Sequence, residues 1–395
     1  MKFILTLITV LALTNAFGQQ LDIGVLRRYK VSNVLVSYHK GSYNIFGNSR
    51  RIFTMLPTES VQIKRSGTKL LVIRGVEELG LFDTVKIEES LPNHSFRIQG
   101  LGPKKLKERK YYNNLSITIE GKSEIKIINH VDISNYLGGV IESEGGGGRH
   151  RNYYKVQATL SRTYALSHLR KHESEGFNLC DQVHCQAYHN MLIYTPTIKK
   201  AVAETRQMVM VDKKINLANG FFFANCGGQT SEADFVWNRA VPYCKSVIDT
   251  FCIHTRQAKW EKRIPQADWE NYLEKQFGYP IKDSVFNYLL YHFKQEHRLA
   301  FYQLPQLGIP LRDIRVHFKL RSTWFNCSLE GKEVVLKGKG FGHGVGLCQE
   351  GAMNMAKNNF SFKEIIQFYF RGVGLINYYD YLFFRQSNFF KYKPN

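Results

Sequence analysis

NHVDISNYLGGVIESEGGGGRHRNYYKVQATLSRTYALSHLRKHESEGFNLCDQVHCQAYHN, residues 129–190, is the stretch on which the fold turns. It opens as a short strand and turn leading to Glu142 and Glu144, and four glycines, Gly145 to Gly148, follow. Tyr153 to Arg170 is then the strongest helical pattern in the chain. Tyr153, Val156, Leu160, Tyr164 and Ser167 recur at three- and four-residue steps, which predicts one buried face. Lys155 and Arg162 lie about two turns apart and stack on a second face, with small Ala158 and Thr159 between them. That face fits a ligand-binding pair or a solvated basic stripe. The segment closes on a loop holding His172, Cys180, His184 and Cys185. These ligand types suit zinc; the same cysteines also fit a Cys180–Cys185 disulfide or reduced structural thiols.

On the N-terminal side, VSNVLVSYHK, RIFTML, SVQIKR, KLLVIRG and DTVKIEES alternate with period two and predict strands between Leu21 and about Leu101. The basic run GPKKLKERK, Gly102 to Lys110, reads as an exposed connector, and strands LSITIEG and EIKIINH lead into the central stretch. Beyond that stretch, IKKAVAETRQ reads as helix, and MVMVD and GFFFANC as strands before a tight NCGGQTSEADFVW turn. WEKRI, ADWENYLEKQF and DSVFNYLLYHF read as helical, RVHFKL and EVVLKGKG as strands. The loop GFGHGVGLCQEGA then precedes two helices; Ser361 and Glu364 form a capping box at the second, with Gly372 past its end. The expected fold class is α+β, with mixed β-sheets, packed helices, a long cleft and an N-terminal β-rich layer. The expected organisation is a signal peptide over 1–18, a β-rich region over 19–101 and a main domain over 102–395. Within the main domain, 109–240 forms the core motif region and 315–378 the glycine-loop region.

Lys2, an apolar run from Phe3 to Leu13 and the small residues of Asn15-Ala16-Phe17-Gly18 read as a secretory signal cut near Gly18. The apolar run is too short to span a bilayer, and no later run is long enough. Localisation is therefore expected to be periplasmic, extracellular or at the wall. The formal charge of +21 favours polyanionic partners. An anionic membrane face and an acidic wall polymer both fit, as does a merely solubilising charge. Export and the lack of a recognised DNA- or RNA-binding module argue against nucleic acid, and the carboxylates of peptidoglycan make the wall the natural acidic partner. Seven cysteines is an odd number for an exported chain; Cys244 and Cys252 are spaced to close a small disulfide loop.

Six blocks in order carry a family resemblance: INHVDISNYLGGVIESE, KVQATLSRTYAL, CDQVHCQAYHN, AVAETRQ, NCGGQTSEADFVW followed by PYC, and GFGHGVGLCQEGAMNMA. Over about Arg109 to Tyr378 the chain resembles the stage II sporulation protein D/amidase enhancer (SpoIID/LytB) family. The resemblance implies a lytic transglycosylase acting on peptidoglycan glycan whose stem peptides an amidase has removed. It puts the family's acid on Glu144, its supporting cations on Lys155 and Arg162, and the zinc found in some members on the loop of Cys180 and Cys185. Departures are Gly145 to Gly148 where relatives often have an apolar residue and proline, Gln207 at a common glycine, and Cys348 at a usual serine.

Lytic cleavage needs one proton donor at the departing oxygen, because the muramic acid's own C6 hydroxyl attacks; hydrolysis needs two carboxylates. Glu144 is the candidate acid, provided burial raises its pKa; taken without the resemblance it reads as a solvated loop acid. No cofactor is required, and zinc at His172, Cys180 and Cys185 would be a structural pin. His343 and Gln349 are candidate substrate-binding residues in the glycine loop and at the following helix start. His343 equally suits hydrogen bonding within its loop. Two rival readings stand beside the enzyme: a wall-binding enhancer of an N-acetylmuramoyl-L-alanine amidase, and a zinc hydrolase using the Cys/His loop.

Overall fold

The computed structural model describes residues 19–102 and 105–387, so the expected signal peptide lies outside the described residues. The chain divides into two compact units. One gathers the described residues up to Gly148 together with Gln157–Gln207; the other holds Arg149–Val156 and the described residues from Met208 onward.

The first unit is built on short strands: β1 (Gln20–Gly24), β2 (Asn33–Lys40), β3 (Tyr43–Gly47), β4 (Arg50–Met55), β5 (Ser60–Ser66), β6 (Lys69–Arg74) and β7 (Glu77–Phe82). They continue as β8 (Thr84–Glu89), β9 (Ser95–Gly100), β10 (Arg109–Tyr112), β11 (Asn114–Glu120), β12 (Glu124–Asp132) and β13 (Leu179–Cys180). A seven-stranded sheet runs β13-β1-β12-β11-β8-β3-β4, and a six-stranded sheet runs β10-β9-β2-β5-β6-β7. Neighbours pair antiparallel, except that β13 lies parallel to β1. Alternation decides the faces: Val34, Val36, Val61, Ile63, Leu70 and Val72 are fully buried while the residues between them reach outward. Tyr43 of one sheet and Phe96 of the other meet edge-on with ring centroids 5.8 Å apart, so the sheets face each other across this core.

The boundary expected at residue 101 separates nothing here, because β10, β11 and β12 are woven into the same two sheets as the strands before it. The basic run is likewise more than a connector. Arg109 starts β10, and its guanidinium lies 2.6 Å from the carboxylate of Asp181, which is only 3% exposed. The same Asp181 oxygen accepts the Leu26 N–H at 2.8 Å. Removing the cation would strand a buried carboxylate, which costs far more than the pair itself contributes. Arg109→Met is therefore expected to lower the unfolding free energy by about 3 kcal/mol in urea titrations. A loss of only a few tenths would show that Asp181 is solvated.

The first unit carries helices α1 (Ile133–Gly145) and α3 (Pro196–Glu204), while α2 (Arg151–Ser167) contributes residues to both units. In the second unit, α4 (Asp234–Trp237), α5 (Gln266–Phe277), α6 (Ser284–Tyr291), α7 (Leu311–His317), α8 (Gln349–Lys357), α9 (Phe362–Tyr369) and α10 (Tyr378–Ser387) follow in order. Strands β14 (Met208–Val211) and β20 (Gly374–Asn377) pair antiparallel, and β15 (Phe222–Phe223) and β19 (Leu347–Cys348) pair parallel. An antiparallel sheet orders β16 (Lys259–Pro265), β18 (Glu333–Lys339) and β17 (Phe325–Glu330). Its apolar face packs with α5, α6 and α7 around Trp269, Leu273, Leu290, Ile314 and Leu336. Two expectations are corrected here. WEKRI is strand β16, because only alternate residues Trp260 and Ile264 are buried against β18. The first half of RVHFKL, Arg315 to His317, is the end of α7, where Leu311 and Ile314 form a three-residue-spaced buried edge. The capping box at Ser361 and Glu364 is formed as the sequence specifies.

Candidate active site and metal loop

The segment expected to be a strand and turn is helix α1. Asp132 is its N-cap, accepting the Ser134 N–H at 2.7 Å. The adjacent glycines hid it, and they are there for space. A Cβ on Gly139 would sit 2.1 Å from the carbonyl oxygen of Asn190, so only glycine lets the 188–190 loop lie against the helix. The helix ends at Gly146, which has φ 66° and donates to the Glu142 carbonyl at 3.1 Å.

Both glutamates therefore stand in the last turn of α1, where no basic residue offsets the negative end of the helix dipole. They point to different loop segments. Glu142 accepts the N–H groups of Ile193 and Tyr194 at 2.8 and 3.0 Å, which makes it a loop anchor. Glu144 is half-buried, and its Oε1 accepts the Ala187 N–H at 2.8 Å. Among the described residues its Oε2 has no partner. Burial raises the Glu144 pKa, and the Ala187 N–H only partly opposes it. The helix terminus pushes in the same upward direction as burial. This carboxyl is placed to hold a proton and to give it away.

Helix α2 departs from the one-faced pattern. It is enclosed on most sides, with Tyr153, Tyr154, Val156, Thr159, Leu160 and Thr163 all fully buried, while Tyr164 is half-exposed and Ser167 exposed. Arg162 is 3% exposed and donates to the Val202 carbonyl at 3.4 Å; burial lowers its pKa to about 10. The solvated-stripe reading fails for Arg162, which is a core residue rather than a surface contact. Lys155 is half-buried, its ammonium 5.7 Å from the centre of the Phe362 ring.

The Cys/His loop closes into a ligand set. One donor atom from each of His172, Cys180, His184 and Cys185 lies within 4.8 Å of the others. His172 Nε2 is 3.3 Å from Cys185 Sγ, and His184 Nε2 is 3.6 Å from Cys180 Sγ. Around a tetrahedral zinc, nitrogen and sulfur ligands stand about 3.5 Å apart, so the donors fit that ion. His172 Nδ1 bonds Glu175 at 2.5 Å, and Glu175 also meets Arg27 at 2.9 Å. A carboxylate behind a ligating histidine fixes which nitrogen faces the metal. The Cys185 thiol is drawn down to about 4, first by the Cys180 S–H and then by His172 and Lys171. The loop reaches the acid within two residues, because Ala187 follows Cys185 and Gln186. Sequence reasoning missed Glu175, whose signal was its three-residue spacing from His172, and the Ala187 N–H, which carries no sequence signal.

On the same unit, a cleft of about 460 Å³ runs past Asn135 and Gly138 of α1 and is edged by Lys40, Lys199 and Arg206. It lies on the helix face that leads to Glu142, and its cations suit an anionic ligand.

Two other expectations, for His343 and for a Cys244–Cys252 disulfide, are corrected. His343 has both ring nitrogens engaged: Nε2 with the Phe222 carbonyl at 3.0 Å, and Nδ1 accepting the Val345 N–H at 3.1 Å. Burial lowers its pKa to about 4, so it is neutral and spent on holding its loop. The glycines around it are spatial as well; at Gly346, with φ 77°, a Cβ would lie 2.4 Å from the Phe221 carbonyl oxygen. Gln349 begins α8, and its Nε2 is buried without a hydrogen-bond partner. Cys244 and Cys252 are not joined. All seven cysteines are free, and the Cys252 sulfur faces that of Cys226 at 3.2 Å.

Residues 121–211 match the family described as SpoIID, stage II sporulation protein. The chain is 27% identical to a Brachyspira hyodysenteriae protein described as uncharacterized, over 86% of this chain and 89% of that one. It is 25% identical to stage II sporulation protein D of Bacillus subtilis, over 62% of this chain and 74% of the relative. Its identity to the Bacillus subtilis amidase enhancer is 22%, over 61% of this chain and 40% of that protein. The match spans α1 with Glu144, α2 and the Cys/His loop, and together with these relatives it supports a likeness to the stage II sporulation protein D/amidase enhancer (SpoIID/LytB) family.

Proposed function

We propose that this is an exported cell-wall-remodelling protein that cleaves peptide-stripped peptidoglycan glycan as a lytic transglycosylase, with Glu144 as its single acid and base. The observation that carries the reading is Glu144 itself, a half-buried carboxyl with raised pKa, one oxygen pinned and the other unpartnered. Protonated Glu144 gives its proton to the departing oxygen as the C1–O bond breaks. The C6 hydroxyl of the muramic acid adds to C1, and its proton returns to Glu144. The carboxyl is regenerated and no water is consumed. Lys40, Lys199 and Arg206 edge the cleft on the Glu142 side of α1, where they would hold lactyl carboxylates of the strand away from the bond that is cut. Among the described residues no helix is long and apolar enough to cross a membrane, in keeping with an exported chain.

The four donors of the Cys/His loop would hold a structural zinc. With four protein donors, His172, Cys180, His184 and Cys185, a bound zinc would have its tetrahedral positions taken and none left for a reacting water, which favours a structural ion over the zinc-hydrolase reading. The ion would fix the loop that presents the Ala187 N–H to Glu144.

Incubating purified protein with denuded glycan and with intact sacculi, then identifying products by mass, tests the proposal. Anhydro-ended muramyl products support it; ordinary reducing ends overturn it. The relative named amidase enhancer favours a second reading, in which the chain binds glycan and stimulates an amidase without cutting. Binding without products, together with faster stem-peptide release by an added amidase, would select that reading.

The acid role fixes a sign for pH dependence. Only protonated Glu144 starts the reaction, so kcat/KM should be flat at low pH and fall about tenfold per unit above its raised pKa. An ascending limb in that range would overturn the assignment.

A further inference from the structure

The second unit encloses another set of soft ligands, drawn from segments far apart in sequence. Cys226, Asp249, Cys252 and Cys348 are each fully buried, and one donor atom from each lies within 4.8 Å of the others. Cys226 Sγ is 3.2 Å from Cys252 Sγ and 3.2 Å from Asp249 Oδ2. Around a tetrahedral zinc-sized ion those separations would be about 3.8 and about 3.5 Å, so ligation asks for outward shifts of roughly half an ångström.

Backbone N–H groups point at two of the three sulfurs. The Gly228 N–H donates to Cys226 Sγ at 3.3 Å, while the Cys226 and Gly351 N–H groups donate to Cys348 Sγ at 3.2 and 3.3 Å. Cys348 is also the N-cap of α8, where the helix dipole favours negative charge. Asp249 is oriented from behind, its Oδ2 accepting from the Tyr369 hydroxyl at 2.8 Å and its Oδ1 from the Phe251 N–H at 3.0 Å.

A second, independent observation is Arg298. It is 5% exposed, and its guanidinium donates to the carbonyls of Cys226 and Gln229, both at 2.7 Å. Among the described residues no carboxylate lies within ion-pair distance of it. A buried cation left to carbonyls needs negative charge close by. Three thiolates and a carboxylate around one divalent ion leave a net charge of about −2, which supplies that charge.

We propose that Cys226, Asp249, Cys252 and Cys348 form a second metal centre, a closed three-sulfur, one-oxygen site for a soft divalent ion of the zinc class. The ion ties the Asn225–Gly228 turn and the 249–252 segment to the start of α8, so it acts as a brace.

The test uses the full chain, purified without chelator. Metal per chain is measured on the native protein and on Cys348→Ser, which keeps size and hydrogen bonding but removes a soft ligand. Loss of one bound ion per chain, with circular dichroism unchanged, is expected. Cobalt loading of the native protein should give intense tetrahedral visible bands and thiolate-to-metal charge transfer, weakened in the variant. If Cys348→Ser does not fold, Asp249→Asn is read the same way. X-ray absorption on the native protein then counts sulfurs around the metal independently of any variant. An unchanged metal content in a folded variant overturns the proposal, as does a Cys226–Cys252 disulfide in non-reducing peptide maps.

Discussion

Glu144→Gln is expected to reduce glycan cleavage by about 10²- to 10⁴-fold, the range that a positioned proton donor contributes. The fold should survive, because Gln still offers an oxygen to the Ala187 N–H that Glu144 accepts at 2.8 Å. The same change should leave the protein more stable at neutral pH. Burial holds the folded-state pKa of Glu144 above its unfolded value, so the favourable contribution is full below the unfolded pKa and lost as pH rises through the folded one. Above that point the wild type keeps a half-buried charge at the negative end of α1. Gln removes it and gains roughly 0.5 kcal/mol from the dipole alone. Urea unfolding at mildly acidic and mildly alkaline pH reads this directly. The variant's advantage should grow with pH; a constant or shrinking difference would mean that Glu144 is an ordinary solvated acid.

Cys185→Ser is expected to have the other large effect. It removes one of four donors from a loop whose neighbour, Ala187, fixes the acid. Structural zinc sites supply apparent binding energies of about 10–16 kcal/mol in small domains, as much as the whole stability of many proteins. Losing even a third of that should lower the first unit's melting midpoint by about 10 °C. Glycan cleavage should fall with it although Glu144 is intact. Chelation of the wild type should reproduce both losses and added zinc should reverse them, whereas zinc should not rescue the variant. If chelation changes neither midpoint nor rate, the loop holds no metal that matters to the acid.

Local pattern was enough for much of the fold. The two-residue alternation of β2, β5, β6, β8, β11 and β12 reads correctly because each of these strands shows one face to a core and the other outward. It failed where burial was two-sided or glycine had a spatial task. Helix α1 carries Gly138 and Gly139 against the 188–192 loop, so composition argues against the helix that packing imposes. Helix α2 was found, but its enclosure was not, since Gln157, Ser161 and Arg162 look solvent-facing by residue type and are 1–3% exposed. At the site, the Cys/His loop was legible as metal-ligand residue types at close spacing, whereas Glu144 was singled out by the family resemblance, its type and position alone reading as a solvated loop acid. The Ala187 contact and the four-residue cluster around Cys226 were not legible, because each depends on chain crossings that no short window contains.

The weave of the first unit bears on how the chain can be cut. The family-matched segment begins at residue 121 and keeps β12, yet both of its sheet neighbours, β1 and β11, lie before it. A fragment excised at that boundary would bare two edges of a central strand and strip the partner from β13, inviting clumping instead of folding. Soluble material for biochemistry should therefore begin at Gln19 or Gln20, since the family-matched segment is smaller than the part that can stand alone.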